Sequence, residues 1–315
     1  MSLPGNETNL PFFRRLYIYQ KERFPVLGHG LLVAAFSFSA ISYSRICRGA
    51  EGFVSWKIFL VGIFTTVSLF FLVRIFDEFK DKEEDALYRK YLPVPRGLIN
   101  LKELKILGII TVVFQVVLNF IFFPKMLWIY FIIIAYLCLM GKEFFIPKWL
   151  KKHQFWYVTS HMFIIPLIDI YASGLDWFLG GVKAPIGLFF FFAVSYMNGI
   201  VLEIGRKIKP RGSEEEGVNS YTKMIGENKA PVLWIGILFI TFCLAVLAAQ
   251  YAGYGKMALS VLSFFFIICS IPAILFLKKK NTRSAKSIEI SSALWTIAMY
   301  LSLGGIPMLQ KLLFN

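Results

Sequence analysis

Nine separate stretches of about twenty apolar residues constrain this chain more than anything else in it. They run roughly over 26–46, 55–76, 104–123, 126–146, 155–175, 184–204, 231–252, 257–277 and 289–309, with ends good to about 2–4 residues. Each is continuously apolar instead of alternating, which predicts helices and excludes barrel strands. Composition agrees: 57% of residues are hydrophobic and 17% aromatic, with a mean hydropathy of +0.64. A soluble domain of 315 residues carries a smaller apolar share. The expectation is an all-α, polytopic membrane protein of about nine transmembrane helices around a central cavity, a single domain over 1–315. The opening "MSLPGNETNLPFFRRLYIYQKERFP" is polar and basic, with no short apolar core before a small-residue site, so no cleavable signal peptide is read.

The formal charge of +15 follows from loop bias. Most of the 34 lysines and arginines fall in loops on one side of the nine spans, which predicts a cytoplasmic N-terminus and motif loops, an outside C-terminus and location in the cell membrane. The basic runs are short inter-helix connections, which argues against nucleic acid. Cys47, Cys138, Cys243 and Cys269 are far apart and have neither zinc nor redox spacing. The three histidines form no motif, and P-loop, HExxH and GxSxG patterns are absent.

Two loops on the basic side stand out, after the second and the sixth span. The first, "VRIFDEFKDKEEDALYRKYLPVPRGLIN", carries Asp77, Glu78, Asp81, Glu83, Glu84 and Asp85. A helix through it puts Asp77, Asp81 and Asp85 along one face with Glu78 on the flank. Like charges at that spacing repel, and a divalent cation relieves the repulsion. Magnesium suits best, since it takes one or two carboxylates together with phosphate oxygens. A solvated acidic helix end, balanced by Lys80, Lys82, Arg89 and Lys90, is the plainer reading of that stretch alone. The second loop, "VLEIGRKIKPRGSEEEG", carries Glu203, then Arg206, Lys207 and Lys209, then Glu214, Glu215 and Glu216. Acids for a metal and bases for an anion in two loops four spans apart suggest a metal–diphosphate site. The four-span offset also hints at a divergent repeat that sets the two acidic ends face to face across the cavity.

These residues carry a resemblance. "DEFKDKEED" resembles the first aspartate-rich motif of the UbiA superfamily of intramembrane prenyltransferases, Asn-Asp-x-x-Asp-x-x-x-Asp, with Asp77 and Glu78 on the opening pair and Asp81 and Asp85 on the later aspartates. "PVPRGLINLKEL" is similar to the Pro-x-Pro-x-Gly-x-Ile-Ser stretch that follows it, and "ERFPVLGHG" to the Arg-Pro region before the first helix. "EIGRKIKPRGSEEEGVNSYTKMIG" resembles a subgroup's second motif. The chain departs from the pattern at Lys207, where a second aspartate is usual, and at Leu92, where an arginine commonly precedes Pro-x-Pro. Glu214 or Glu216 could compensate for the first change, and Arg89, Lys90 or Arg96 for the second.

The resemblance implies Mg2+-dependent transfer of an isoprenoid from an allylic prenyl diphosphate to an aromatic or lipid acceptor in the membrane. Implied metal ligands are Asp77, Glu78, Asp81, Asp85, Glu203 and Glu216, with Asp77, Asp81, Asp85 and Glu203 catalytic. Implied diphosphate contacts are Arg74, Arg89, Arg96, Arg206, Lys207 and Tyr221; Arg74 is equally a structural partner of the motif, and Tyr221 equally a loop-packing residue. Asp169, Tyr196 and Asn198 are expected around the acceptor or the allylic cation. Asp169 orients an acceptor or acts as a base, or else pairs with His161 or a hydroxyl. A terpene cyclase of the same superfamily, needing no acceptor, is the alternative, and a transporter is a third class. Isoprenoid length, acceptor and oligomeric state are not legible.

Overall fold

The computed structural model describes residues 9–214, 217 and 220–314, and among these it is built of helices and turns. Nine of the described helical segments are long and apolar enough to cross a membrane. The first three are α2 (Val26–Cys47), α3 (Trp56–Lys80) and α5 (Leu101–Phe122). The fourth covers Pro124–Gly141 and contains α6 (Leu127–Gly141). α10 (Gly187–Arg206), α12 (Lys229–Tyr251) and α13 (Gly255–Lys279) are the sixth to eighth, and the short helices α7 (Pro147–Lys152) and α11 (Tyr221–Ile225) lie in the loops between spans. All nine expected spans are present.

Two spans are broken, each at a proline. The fifth divides into α8 (Gln154–Met162) and α9 (Ile164–Trp177). Pro166 has no N–H to give the carbonyl of Met162 and its ring crowds that carbonyl, so the helix parts there. The ninth runs as α14 (Thr282–Tyr300), a π-helical turn at Leu301–Gly305 and α15 (Ile306–Phe314). Pro307 likewise leaves the Leu303 carbonyl without a helical donor, and the Tyr254 hydroxyl donates to it instead. At the π turn the helix presses against α2: a Cβ on Gly304 would collide with the backbone of Ser39.

Buried polar side chains tie the spans together. Tyr171 donates to Asn119 at 2.6 Å, Tyr130 to Gln115 at 2.7 Å, and Gln115 to Ser68 at 2.9 Å. Between α2 and α9, at the end of the bundle away from the motif loops, Asp176 takes Ser44 at 2.7 Å and both Arg45 and Arg48. Such bonds hold membrane helices together where lipid is as apolar as the side chains.

The first acidic stretch departs from the expected single helix. α3 ends at Lys80, Asp81 sits at the junction with φ −90° and ψ 4°, and the chain restarts as α4 (Lys82–Tyr88). Asp77, Asp81 and Asp85 therefore do not share one helical face. An N-terminal helix, α1 (Phe12–Arg23), braces this region. Arg15 forks onto Glu103 at 2.6 and 3.0 Å and also donates to the Leu98 carbonyl, while Arg96 forks onto Glu22 at 2.8 and 2.9 Å. Glu103 and Asn100 form a reciprocal cap that starts α5.

Because the Gly304 contact is with backbone, Gly304→Val is expected to lower stability by about 1–3 kcal/mol, the usual cost of overpacking. Thermal unfolding in detergent checks it, with Gly236→Ala, whose Cβ meets nothing within 4 Å, as the control.

Candidate functional site

Two chambers meet inside the bundle. A polar chamber of about 410 Å³ lies at the motif end, walled by α3, α8, α9, α10 and the loops beside them. An apolar chamber of about 690 Å³ runs deeper, between α2, α3, α10 and α14. Arg23, Arg74, Asp77 and Arg206 line both and form the border between them.

The polar chamber brings together the two loops that the sequence set four spans apart. On one wall, Asp77 receives Lys80 at 3.0 Å and has Arg74 at 3.8 Å, with Asp81 3.9 Å from the same lysine. On the opposite wall, Glu203 is held by Lys207 at 2.6 Å and by Arg206. Seven basic residues line the chamber (Arg23, Arg74, Lys80, Arg89, Lys151, Arg206 and Lys207) against five acidic ones (Asp77, Asp81, Glu84, Glu143 and Glu203). The surplus of positive charge in a partly desolvated cleft favours an anion. Glu143 is turned into it by a left-handed turn, with φ of 47°, 53° and 62° at Glu143, Phe144 and Phe145. L-residues pay for that conformation, on the order of 1 kcal/mol each. Burial pushes the Asp81 and Glu143 carboxyls above the usual range.

Several expected residues lie elsewhere. Glu78 turns toward α1: Arg23 donates to it at 2.6 Å, Arg74 at 3.1 Å, and its side chain is 1% exposed. Asp85 is buried 2.9 Å from Arg89 and lines neither chamber. Glu78 precedes the break and points about 100° round α3 from Asp77, toward α1, whereas Asp85 lies beyond the break on α4. Arg96 is bound to Glu22 and lines neither chamber. Tyr221 is buried behind the wall, its N–H bonded to the Lys207 carbonyl at 3.1 Å. Tyr196 faces Phe163 outside both chambers. Asp169 is fully buried beside Ser195, on neither chamber wall, so of its expected partners a hydroxyl, not His161, is the neighbour. Asn198 does line the apolar chamber. Glu214 takes bonds from Ser220 and Thr222 and does not enter the polar chamber; Glu215 and Glu216 lie outside the described residues.

Other chamber residues went unread in the sequence. Lys80 sits inside the first acidic motif, where it passed for a counter-charge, and Arg23 belongs to α1. Tyr157 accepts from Lys80 at 3.1 Å and stacks on His161 at 4.1 Å. His161 Nδ1 lies 2.8 Å from the Tyr157 carbonyl, which can only accept, so Nδ1 carries the proton. Tyr157 and His161 stand one turn apart on α8, and the Lys80–Tyr157 contact brings them to the α3 wall, which no sequence motif signals. Leu92, the missing arginine, is buried apolar packing, and Arg23, Lys80 and Lys151 supply cations within the chamber instead.

Among the described residues no three acidic, histidine or cysteine side chains cluster tightly enough to define a metal centre. Asp77 and Asp81 are nonetheless 28% and 29% exposed, on the wall opposite Glu203. These hard oxygen donors suit magnesium, and they are the three that would hold it. Glu78 and Asp85 are engaged elsewhere.

The UbiA prenyltransferase family profile matches residues 25–304. The chain belongs to that family. A solved structure from work on digeranylgeranylglyceryl phosphate synthase in membranes superposes with a TM-score of 0.57 at 19% identity, covering 93% of this chain and 99% of the other. At that identity the likeness speaks to the fold, which is the UbiA fold. No curated protein matches the chain.

Asp85 offers a check on this placement. Desolvation outweighs Arg89 and pushes its carboxyl up to about 6, from 3.8 in an unstructured chain. The folded state thus keeps a proton that the unfolded chain releases, so this group's contribution to stability is full below about pH 4 and is lost as pH rises through 6. Asp85→Asn removes that dependence. Its melting temperature relative to wild type is expected to rise between pH 4 and pH 7; a pH-independent difference contradicts the burial.

Proposed function

We propose that this protein transfers the isoprenoid of an allylic prenyl diphosphate to an aromatic or lipid acceptor within the membrane, with magnesium as cofactor. The carrying observation is the junction at Arg74, Asp77 and Arg206, where a net-positive chamber opens directly onto an apolar one. A prenyl diphosphate has that same division, and its scissile carbon–oxygen bond would lie at the border.

In this reading Lys80, Arg206 and Lys207 stabilise the charge that grows on the departing diphosphate, where fixed cations in a dry site act most strongly. Tyr157 accepts from Lys80 and orients it. Asp77, Asp81 and Glu203 would hold magnesium, which when bound would supply further neutralisation of the diphosphate. Phe36 and Phe70 line the deeper chamber, ring centroids 5.8 Å apart, with Tyr300 at 5.2 Å from Phe36. Their faces offer electron density to an allylic cation, the role the sequence assigned to Tyr196. The loop bias of Lys and Arg supports a cytoplasmic polar chamber.

The test supplies purified protein with magnesium and allylic diphosphates of several lengths, with and without candidate acceptors, and follows diphosphate release and product. Asp81→Asn and Arg206→Gln are each expected to lower the rate about 10²–10³-fold, the loss typical of an electrostatic stabiliser. Release without acceptor, giving a cyclic product, would instead make the protein a cyclase. Prenyl transfer and cyclisation both fail if no diphosphate is consumed, or if Asp81→Asn consumes it at the wild-type rate.

A further inference from the structure

The N-terminal helix α1 carries a face that the bundle does not use. Phe12, Leu16 and Tyr19 turn inward onto the core, with Tyr19 fully buried beside Glu78. At about 100° per residue, the other side of the helix presents Phe13 and Tyr17, 81% and 61% exposed, next to exposed Arg14 and Lys21. The acids around α1 are taken by other cations, Glu103 by Arg15, Glu78 by Arg23 and Glu22 by Arg96. Arg14 and Lys21 thus have no acidic partner among the described residues.

The contacts of α1 fix how it lies. Near its start, Arg15 reaches Glu103 in the first turn of α5; at its end, Arg23 reaches Glu78 in the last turn of α3. α3 runs into the motif end of the bundle and α5 leaves from it, so both anchors sit at one level. They are separated by eight residues of helix, about 12 Å. α1 therefore runs across the bundle end, along the membrane surface, and does not continue the line of α2. Phe24 and Pro25 make the corner, and α2 begins with exposed apolar residues, Val26, Leu27 and Leu31.

We propose that the outer face of α1 binds the headgroups of anionic phospholipids. Phe13 and Tyr17, one turn apart, enter the boundary between headgroups and acyl chains, and Arg14 and Lys21, two turns apart, take the phosphates. That boundary is apolar on one side and anionic on the other, the same division that this face shows. Lys102 and Lys105, exposed at the start of α5 beside the Arg15–Glu103 pair, extend the basic surface. A second copy of the chain fits poorly, because a two-fold contact through this face sets Arg14 and Lys21 against the same cations of the other copy. The consequence reaches the chambers. α1 ends in Arg23, which borders both, so lipid held on one side of the helix steadies a cation on the other.

The experiment places the full-length protein in phosphatidylcholine nanodiscs containing a trace of one photoreactive lipid, phosphatidylglycerol or phosphatidylcholine, with the diazirine near the headgroup. After irradiation, adducts on residues 12–23 are mapped by mass spectrometry, and adducts on α12 report an intact bundle. Wild-type α1 is expected to take the phosphatidylglycerol probe at least about fivefold over the phosphatidylcholine probe. Arg14→Gln combined with Lys21→Gln should bring the two probes level. Phe13→Ser combined with Tyr17→Ser should lower labelling by both, in each case with α12 labelling unchanged. The proposal is overturned if wild-type α1 takes both probes equally or neither, if the glutamine pair keeps the wild-type preference, or if the serine pair leaves labelling as it was. Diphosphate consumption plays no part in this readout, so the outcome is independent of the prenyl-transfer reading.

Discussion

Charge neutralisation at the end of an oil-embedded bundle governs this structure. Ionised side chains near hydrocarbon are expensive unless each meets an opposite charge. The protein meets that demand with short ion pairs, most of them within one helical turn and one, Arg23 to Glu78, between α1 and α3. Asp77 is bound by Lys80, Glu203 by Lys207 and Arg206, Glu78 by Arg23 and Arg74, and Asp85 by Arg89. The pairs divide by position. Those at Glu78 and Asp85 are closed and brace the loop, whereas those at Asp77 and Glu203 border a cleft in which cations outnumber acids. That surplus distinguishes the chamber from a self-satisfied salt-bridge network.

The rest of the bundle serves this arrangement. The break at Asp81 opens one wall, α1 supplies Arg23 and holds the loop after α4, and α8 brings Tyr157 and His161 against Lys80. Behind the chamber the polar residues thin out.

Legibility followed the length scale of the physics. The spans could be read because a helix crossing lipid needs about twenty apolar residues in a row, a one-dimensional requirement. Facing loops could be read from their four-span offset and complementary charge. Lys80 was in plain view but looked like a counter-ion, since nothing local distinguishes a neutralising lysine from one aimed into a cavity. The shared face of Asp77, Asp81 and Asp85 failed because a regular helix was assumed through Asp81, where the backbone leaves helical geometry. Tyr196 failed similarly: a helix facing cavity, neighbours and lipid has only one productive face, and periodicity does not say which.

By itself, then, the sequence determined an all-helical membrane bundle with two charged loops at one end, because hydrocarbon permits little else for such a chain. Only the tertiary structure decided which charges face each other. Whether an acid borders the chamber or closes a brace depends on its angular place on the helix, about 100° between neighbours such as Asp77 and Glu78, and on one local break. Those are set by packing against α1, α8 and α14, contacts between residues far apart in the chain.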